Sequence, residues 1–186
     1  MRIKLRQGSA RSLYLVPQTV VDFEIYYTRL IPRDHSYVDT RPPNKRDPLS
    51  QALFNFSQRE NMIPFSAKGN LDLNIIEMPE TALSESSGWA KLETYEIGLL
   101  VVNPSGQWLA IPTPRRPNTD DEHDEQWGES WVQNRAGSTS FDINEFRGPI
   151  NPEYAGCLLS AAGQAASHMP CLKRMEINVD VKGGYT

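Results

Sequence analysis

A thiol beside an imidazole makes a nucleophile, so Cys157 and His168 are the first residues to weigh for chemistry. They fall on one predicted helix, eleven residues apart. That spacing is about 16 Å at a rise of about 1.5 Å per residue, and neither group can activate the other. Both cysteines, Cys157 and Cys171, read as small core hydrophobes, and they lack the Cys-x-x-Cys spacing of a zinc or redox site. The tract Asp120-Asp121-Glu122-His123-Asp124-Glu125 has oxygens enough for a divalent cation but not the spaced ligands and central glycine of a calcium loop. It reads as a solvated acidic run, and no metal is expected. His35 follows Asp34 in a proline-rich stretch where neighbouring side chains diverge, which leaves no general base. Dinucleotide, phosphate-loop, serine-hydrolase and zinc-protease motifs are missing, so the chain is expected to be noncatalytic and without cofactor.

Binding chemistry is better represented. The basic stretch 29–46, with tyrosines close by, gathers arginine forks and aromatic bodies, the side chains that dominate contact energies. Tyr26, Tyr27, Arg29, Arg33, Tyr37 and Arg41 are the candidate partner-binding residues. A reading from another class is a small α/β enzyme or ligand-binding protein. Its pocket would lie between a sheet and the C-terminal helix, lined by Trp89, Tyr95, Trp108 and His168.

The chain has 186 residues, 39% of them hydrophobic and 23% charged, which fits one soluble globular domain spanning 1–186. Its net charge of −4 gives no basic field for nucleic acid or anionic lipid, and no stretch approaches a membrane span. Two cysteines and no signal peptide point to an intracellular protein, cytoplasmic or nuclear, with protein partners.

Elements to position these residues follow from patterning. β-Branched and aromatic residues predict a strand over 20–27. Asp47-Pro48 is an N-cap with a first-turn proline, and Leu49, Ala52, Leu53 and Phe56 make the apolar face of a helix. A short strand over 62–67 follows, with Pro64 placing it at an edge or at the start of the strand. A strand runs from Leu92 toward Val102 with a bend at Gly98. Asn103-Pro104-Ser105-Gly106 then turns the chain into a hairpin arm over 108–111. Residues 112–140 are expected to be a disordered acidic insertion, dispensable for folding. Asn151-Pro152-Glu153 opens a second helix with Ala155, Leu158, Leu159, Ala162, Ala166 and Met169 as its stripe, and alternation from Met175 gives the last strand. Leu53, Phe56, Leu92, Leu158, Leu159 and Leu172 are the expected core where helices meet the sheet.

Three of these strands share a pattern: Val20-x-x-Phe23-Glu24-Ile25, Leu92-x-x-Tyr95-Glu96-Ile97 and Leu172-x-x-Met175-Glu176-Ile177. A strand and helix repeated in this way cannot bury their apolar faces singly and must stack. With Asp47-Pro48-Leu49-Ser50, Ser57-Gln58-Arg59, Trp89-x-x-Leu92-Glu93, Pro104-Ser105-Gly106-x-Trp108, Phe146-Arg147 and Leu158-Leu159-x-Ala161-Ala162 running into Met169-Pro170-x-Leu172, the chain resembles the leucine-rich-repeat portion of fungal F-box-like proteins over 16–181. The resemblance implies an α/β, short irregular leucine-rich-repeat-like solenoid with a curved open sheet and helices on one face. It also implies a substrate-recognition role beside a cullin-type ubiquitin ligase. The family's F-box has no room before Val16, so ligase recruitment is not expected of these residues. The basic N-terminal stretch is expected to give one short covering strand but no capping helix. The edge at Phe23 and Ile25 would then be partly open, to self-association or to a partner strand.

Overall fold

The computed structural model describes residues 2–27, 39, 41, 46–78, 88–111 and 149–180. Arg29, Arg33, His35, Tyr37 and the insertion over 112–140 lie outside these residues. The described chain forms α1 (Arg2–Leu13), β1 (Phe23–Tyr27), α2 (Pro48–Ser57), β2 (Pro64–Gly69), a 3-10 turn (Leu73–Ile75), β3 (Thr94–Leu100), α3 (Pro152–Ser167) and β4 (Arg174–Asp180).

Local chemistry sets the two helix starts read from the sequence. The Asp47 carboxylate accepts the Ser50 N–H at 2.8 Å and Pro48 fills the first turn of α2. The Asn151 side chain likewise accepts from the Glu153 N–H at 2.9 Å, with Pro152 in the first turn of α3. Asn103 shapes the predicted turn by accepting from the Ser105 and Gln107 N–H groups, both at 3.0 Å. Gly106 closes it with φ 85°, a left-handed conformation that glycine adopts without Cβ strain. The hairpin arm then reduces to single antiparallel bridges, Val102 with Trp108 and Ala110 with Ile150.

The four strands form one parallel sheet in the order β1-β2-β3-β4. Phe23, Phe65, Tyr95 and Met175 stand in one cross-strand row, and Ile25, Ala67, Ile97 and Ile177 in the next. Both rows face the core, which also takes in Ala10 and Leu13 of α1, Leu49, Leu53 and Phe56 of α2, and Tyr154, Leu158, Ala161 and Ala165 of α3. Helices therefore cover one face. Before each strand the backbone makes the same tight turn, closed by Val20 N–H to Pro17 O, Met62 N–H to Arg59 O, Leu92 N–H to Trp89 O and Leu172 N–H to Met169 O. The three-copy pattern of the sequence is thus a four-copy unit in space. The extra copy, Met62-x-x-Phe65-Ser66-Ala67, is disguised by a serine and an alanine where the others carry Glu and Ile. β3 runs unbroken through Gly98, in register with Lys68 and Asn178, so the expected bend is not present.

Four further expectations are corrected. The N-terminal stretch forms the helix α1, which carries no regular apolar stripe and is fastened by a buried arginine. Leu159 is 72% exposed, because α3 turns Tyr154, Leu158, Ala161 and Ala165 to the core instead. Leu172 is only partly buried, although it packs on the core. Cys157 and Cys171 are both exposed rather than packed inside.

Candidate recognition surface

Alternation along the strands puts the other set of side chains on the face that none of the described helices covers. Glu24, Ser66, Glu96 and Glu176 form one row across it, and Tyr26, Lys68, Gly98 and Asn178 the next. Lys68 lies across Gly98, where an added Cβ would come within 2.8 Å of its Cγ. From there its Nζ meets Glu96 Oε1 at 2.6 Å. The Glu96 hydrogen bond raises the Lys68 pKa, helped by the fields of Glu24 and Glu176. Glu176 accepts from Asn178 Nδ2 at 2.7 Å and pairs with Arg174, and these two contacts hold its carboxyl below the usual range. Glu24 makes no ion pair among the described residues, and Tyr26 beside it is 68% exposed. Among the described residues the face is therefore a lattice of paired charges, with the Tyr26 ring and the Glu24 carboxylate outside those pairs at the β1 side. Such a surface can receive an extended segment by hydrogen bonding and stacking.

A buried polar cluster holds the carboxyl ends of β1 and β2. Arg6, only 2% exposed, donates from Nε and Nη2 to the two Asp47 oxygens at 2.6 Å each. It also reaches Asn70 Oδ1 at 3.2 Å and Asn70 O at 2.9 Å, and lies 5.1 Å from the Tyr27 ring centre. Asn70 in turn donates its N–H to Tyr27 O at 3.0 Å and its Nδ2 to Val102 O. Gly69 permits this approach. With φ 144°, it comes so near β1 that an added Cβ would overlap the Tyr27 carbonyl. Ser50 Oγ donates to Asp47 at 2.6 Å and accepts the Asp72 N–H at 2.9 Å, which joins the 3-10 turn to the cluster. Burial raises the Asp72 pKa, although the Leu73 N–H that it accepts pulls the other way.

The residues singled out from the sequence separate on this framework. Of the binding set, Tyr26 stands on the open face, whereas Tyr27 points to the covered one, half-buried under Arg6. Arg41 is engaged by Asp39 through its N–H, Nε and Nη2, and that hydrogen bonding lowers the Asp39 pKa. Of the pocket set, Trp89 and Tyr95 meet in the closed core with ring centres 6.4 Å apart. Trp89 Nε1 donates to Ser57 Oγ and the Tyr95 hydroxyl to Ile75 O at 2.7 Å, while burial pushes the Tyr95 pKa up. Neither ring has solvent-accessible surface to offer a ligand. Trp108 packs in a separate small cluster with Val101, Val102 and Ala110, and His168 sits at the C-cap of α3 against Gln164 O.

Comparison of the chain with known protein families, curated proteins and solved structures finds no match. Among the described residues, no group of three or more His, Cys, Asp or Glu side chains could hold a metal ion. No helix among them is long and apolar enough to cross a membrane. Sequence reasoning missed Arg6, Asn70 and the outward row of Glu24, Glu96 and Glu176. The glutamates were legible in principle, because each sits between two inward apolar residues of its strand.

Proposed function

We propose that the chain is a noncatalytic protein-recognition module of leucine-rich-repeat-like build, resembling the substrate-recognition part of fungal F-box proteins. One observation carries this reading: the same turn and strand recur four times in register, with Asn70 bridging successive strand ends. The consensus of such repeats is Leu-x-x-Leu-x-Leu-x-x-Asn, and Met62, Phe65, Ala67 and Asn70 fall at its apolar and asparagine positions. Stacked units of this kind leave one sheet face open along the whole array and use it for binding. Here that face carries Tyr26, Glu24 and the paired lattice of Lys68, Glu96, Arg174 and Glu176. Tyr26 and Glu24 are the proposed anchors, and a protein segment with cationic and apolar side chains is the proposed occupant.

Affinity capture from the native cell tests the reading, with cullin-adaptor peptides scored explicitly. Tyr26→Ala should lower capture of the specific partner at least tenfold, about 1.4 kcal/mol, whereas Asn55→Arg on the exposed side of α2 should leave it unchanged. Capture that responds to Asn55 and ignores Tyr26 would place recognition on the helices and refute the proposal.

A further inference from the structure

The two ends of the sheet are chemically unfinished in matching ways. Phe65, Ala67, Tyr95, Ile97 and Leu99 on the inner strands are at most 1% exposed. Phe23, Ile25 and Tyr27 on β1, and Met175, Ile177 and Val179 on β4, are only partly buried. Among the described residues β1 pairs with β2 alone and β4 with β3 alone, so each has an edge without a strand partner. The helices preceding these strands each expose a leucine, Leu5 at 60% on α1 and Leu159 at 72% on α3.

We infer that copies of this chain associate head to tail, the β4 and α3 end of one against the β1 and α1 end of the next. The argument is continuity. All four strands share one direction and one register, so the free edge of β1 is the kind of edge that β2 already presents to β1, and the free edge of β4 the kind that β3 already presents to β4. Joining them repeats an existing junction instead of inventing one. The covered rows would continue as Met175 beside Phe23, Ile177 beside Ile25 and Val179 beside Tyr27. On the open face, Arg174 would come beside Asp22 and Asn178 beside Tyr26. Glu176 would stand beside Glu24, but the β3–β4 junction already sets Glu96 beside Glu176, where Lys68, Arg174 and Asn178 offset the repulsion. Helix charges agree: α1 carries cations and no acid, whereas Glu153 is the one charged residue of α3. A contact of this sort uses two different surfaces, so it does not close on itself as a two-fold dimer.

This inference goes beyond the recognition reading and does not depend on it. Sedimentation of the full chain across a concentration series tests it, with circular dichroism confirming that each variant is folded. The wild-type mean mass should climb past that of a dimer without a plateau. Leu5→Arg blocks one end and Leu159→Arg the other, so each variant alone should stay monomeric. An equimolar mixture of the two retains one intact junction and should give a dimer, twice the mass of either alone. A wild type that stays monomeric at every concentration overturns the inference. So does a mixture that remains monomeric, or a wild type that stops at a dimer.

Discussion

At the scale of single residues, the tightest constraint is Arg6, a cation surrounded by core. Its fork satisfies both oxygens of Asp47, itself fully buried, and the carboxylate that receives it also caps α2. Removing one member of such a pair leaves an uncompensated buried charge, so Arg6→Ala should cost about 3–5 kcal/mol of stability. Arg6→Lys should recover little, because an ammonium cannot meet two oxygens in one plane. Urea unfolding measures both, and a variant with an unshifted midpoint would show that α1 is not fastened here. Asp72 gives the opposite sign. Burial lifts its folded pKa above the unfolded value, so its contribution is most favourable below the unfolded carboxyl range and is lost as pH rises through the folded pKa. Asp72→Asn keeps an acceptor for the Leu73 N–H and should therefore stabilise the protein at neutral pH. The gain should vanish in acid, where the carboxyl is already neutral. An asparagine variant less stable than wild type at neutral pH would contradict the assignment.

At the scale of elements, α3 separates two neighbouring leucines. Leu158 packs in the core and Leu158→Ala should cost about 2–5 kcal/mol, whereas Leu159→Ala should fall within about 0.5 kcal/mol of wild type. Thermal unfolding of the pair decides, and equal losses would mean that the helix is rotated from its described face. The contrast also explains what the sequence could and could not convey. Caps and strand alternation are local, and Asp47-Pro48, Asn151-Pro152 and all four strands were legible. The rotation of α3 was not, because alanines on every side let the helix turn by one residue without changing its apolar count, and the core-facing Tyr154 carries a polar hydroxyl that masks it as an apolar body. α1 escaped for a different reason. Asp47, the chief partner of its Arg6, lies 41 residues away from that arginine, and Arg59 binds the carbonyls of Leu13 at the helix end and of Val16 and Pro17 beyond it. No periodicity within 2–13 announces either contact. For the recognition surface, Tyr26 was found by residue type, while the glutamate row needed the strand register to become a surface.

At the scale of the molecule, one covered face and one open face are the arrangement that a parallel array with in-order strands leaves when its helices gather on one side. Burial is deepest in β2 and β3 and falls toward both edges, so amide exchange should be slowest in the two inner strands and faster in β1 and β4. Uniform protection of all four strands in a dilute monomer would mean that the edges are closed by other means. The open face is the part of the molecule to which function is attributed, and site-specific photo-crosslinking addresses it directly. A photoreactive residue placed at Tyr26 or at Asn178, both exposed on the sheet, should capture the same protein partner in the native cell, and one at Asn55 on the far side of α2 should not. Capture from Asn55 with none from Tyr26 or Asn178 would contradict recognition through the open face.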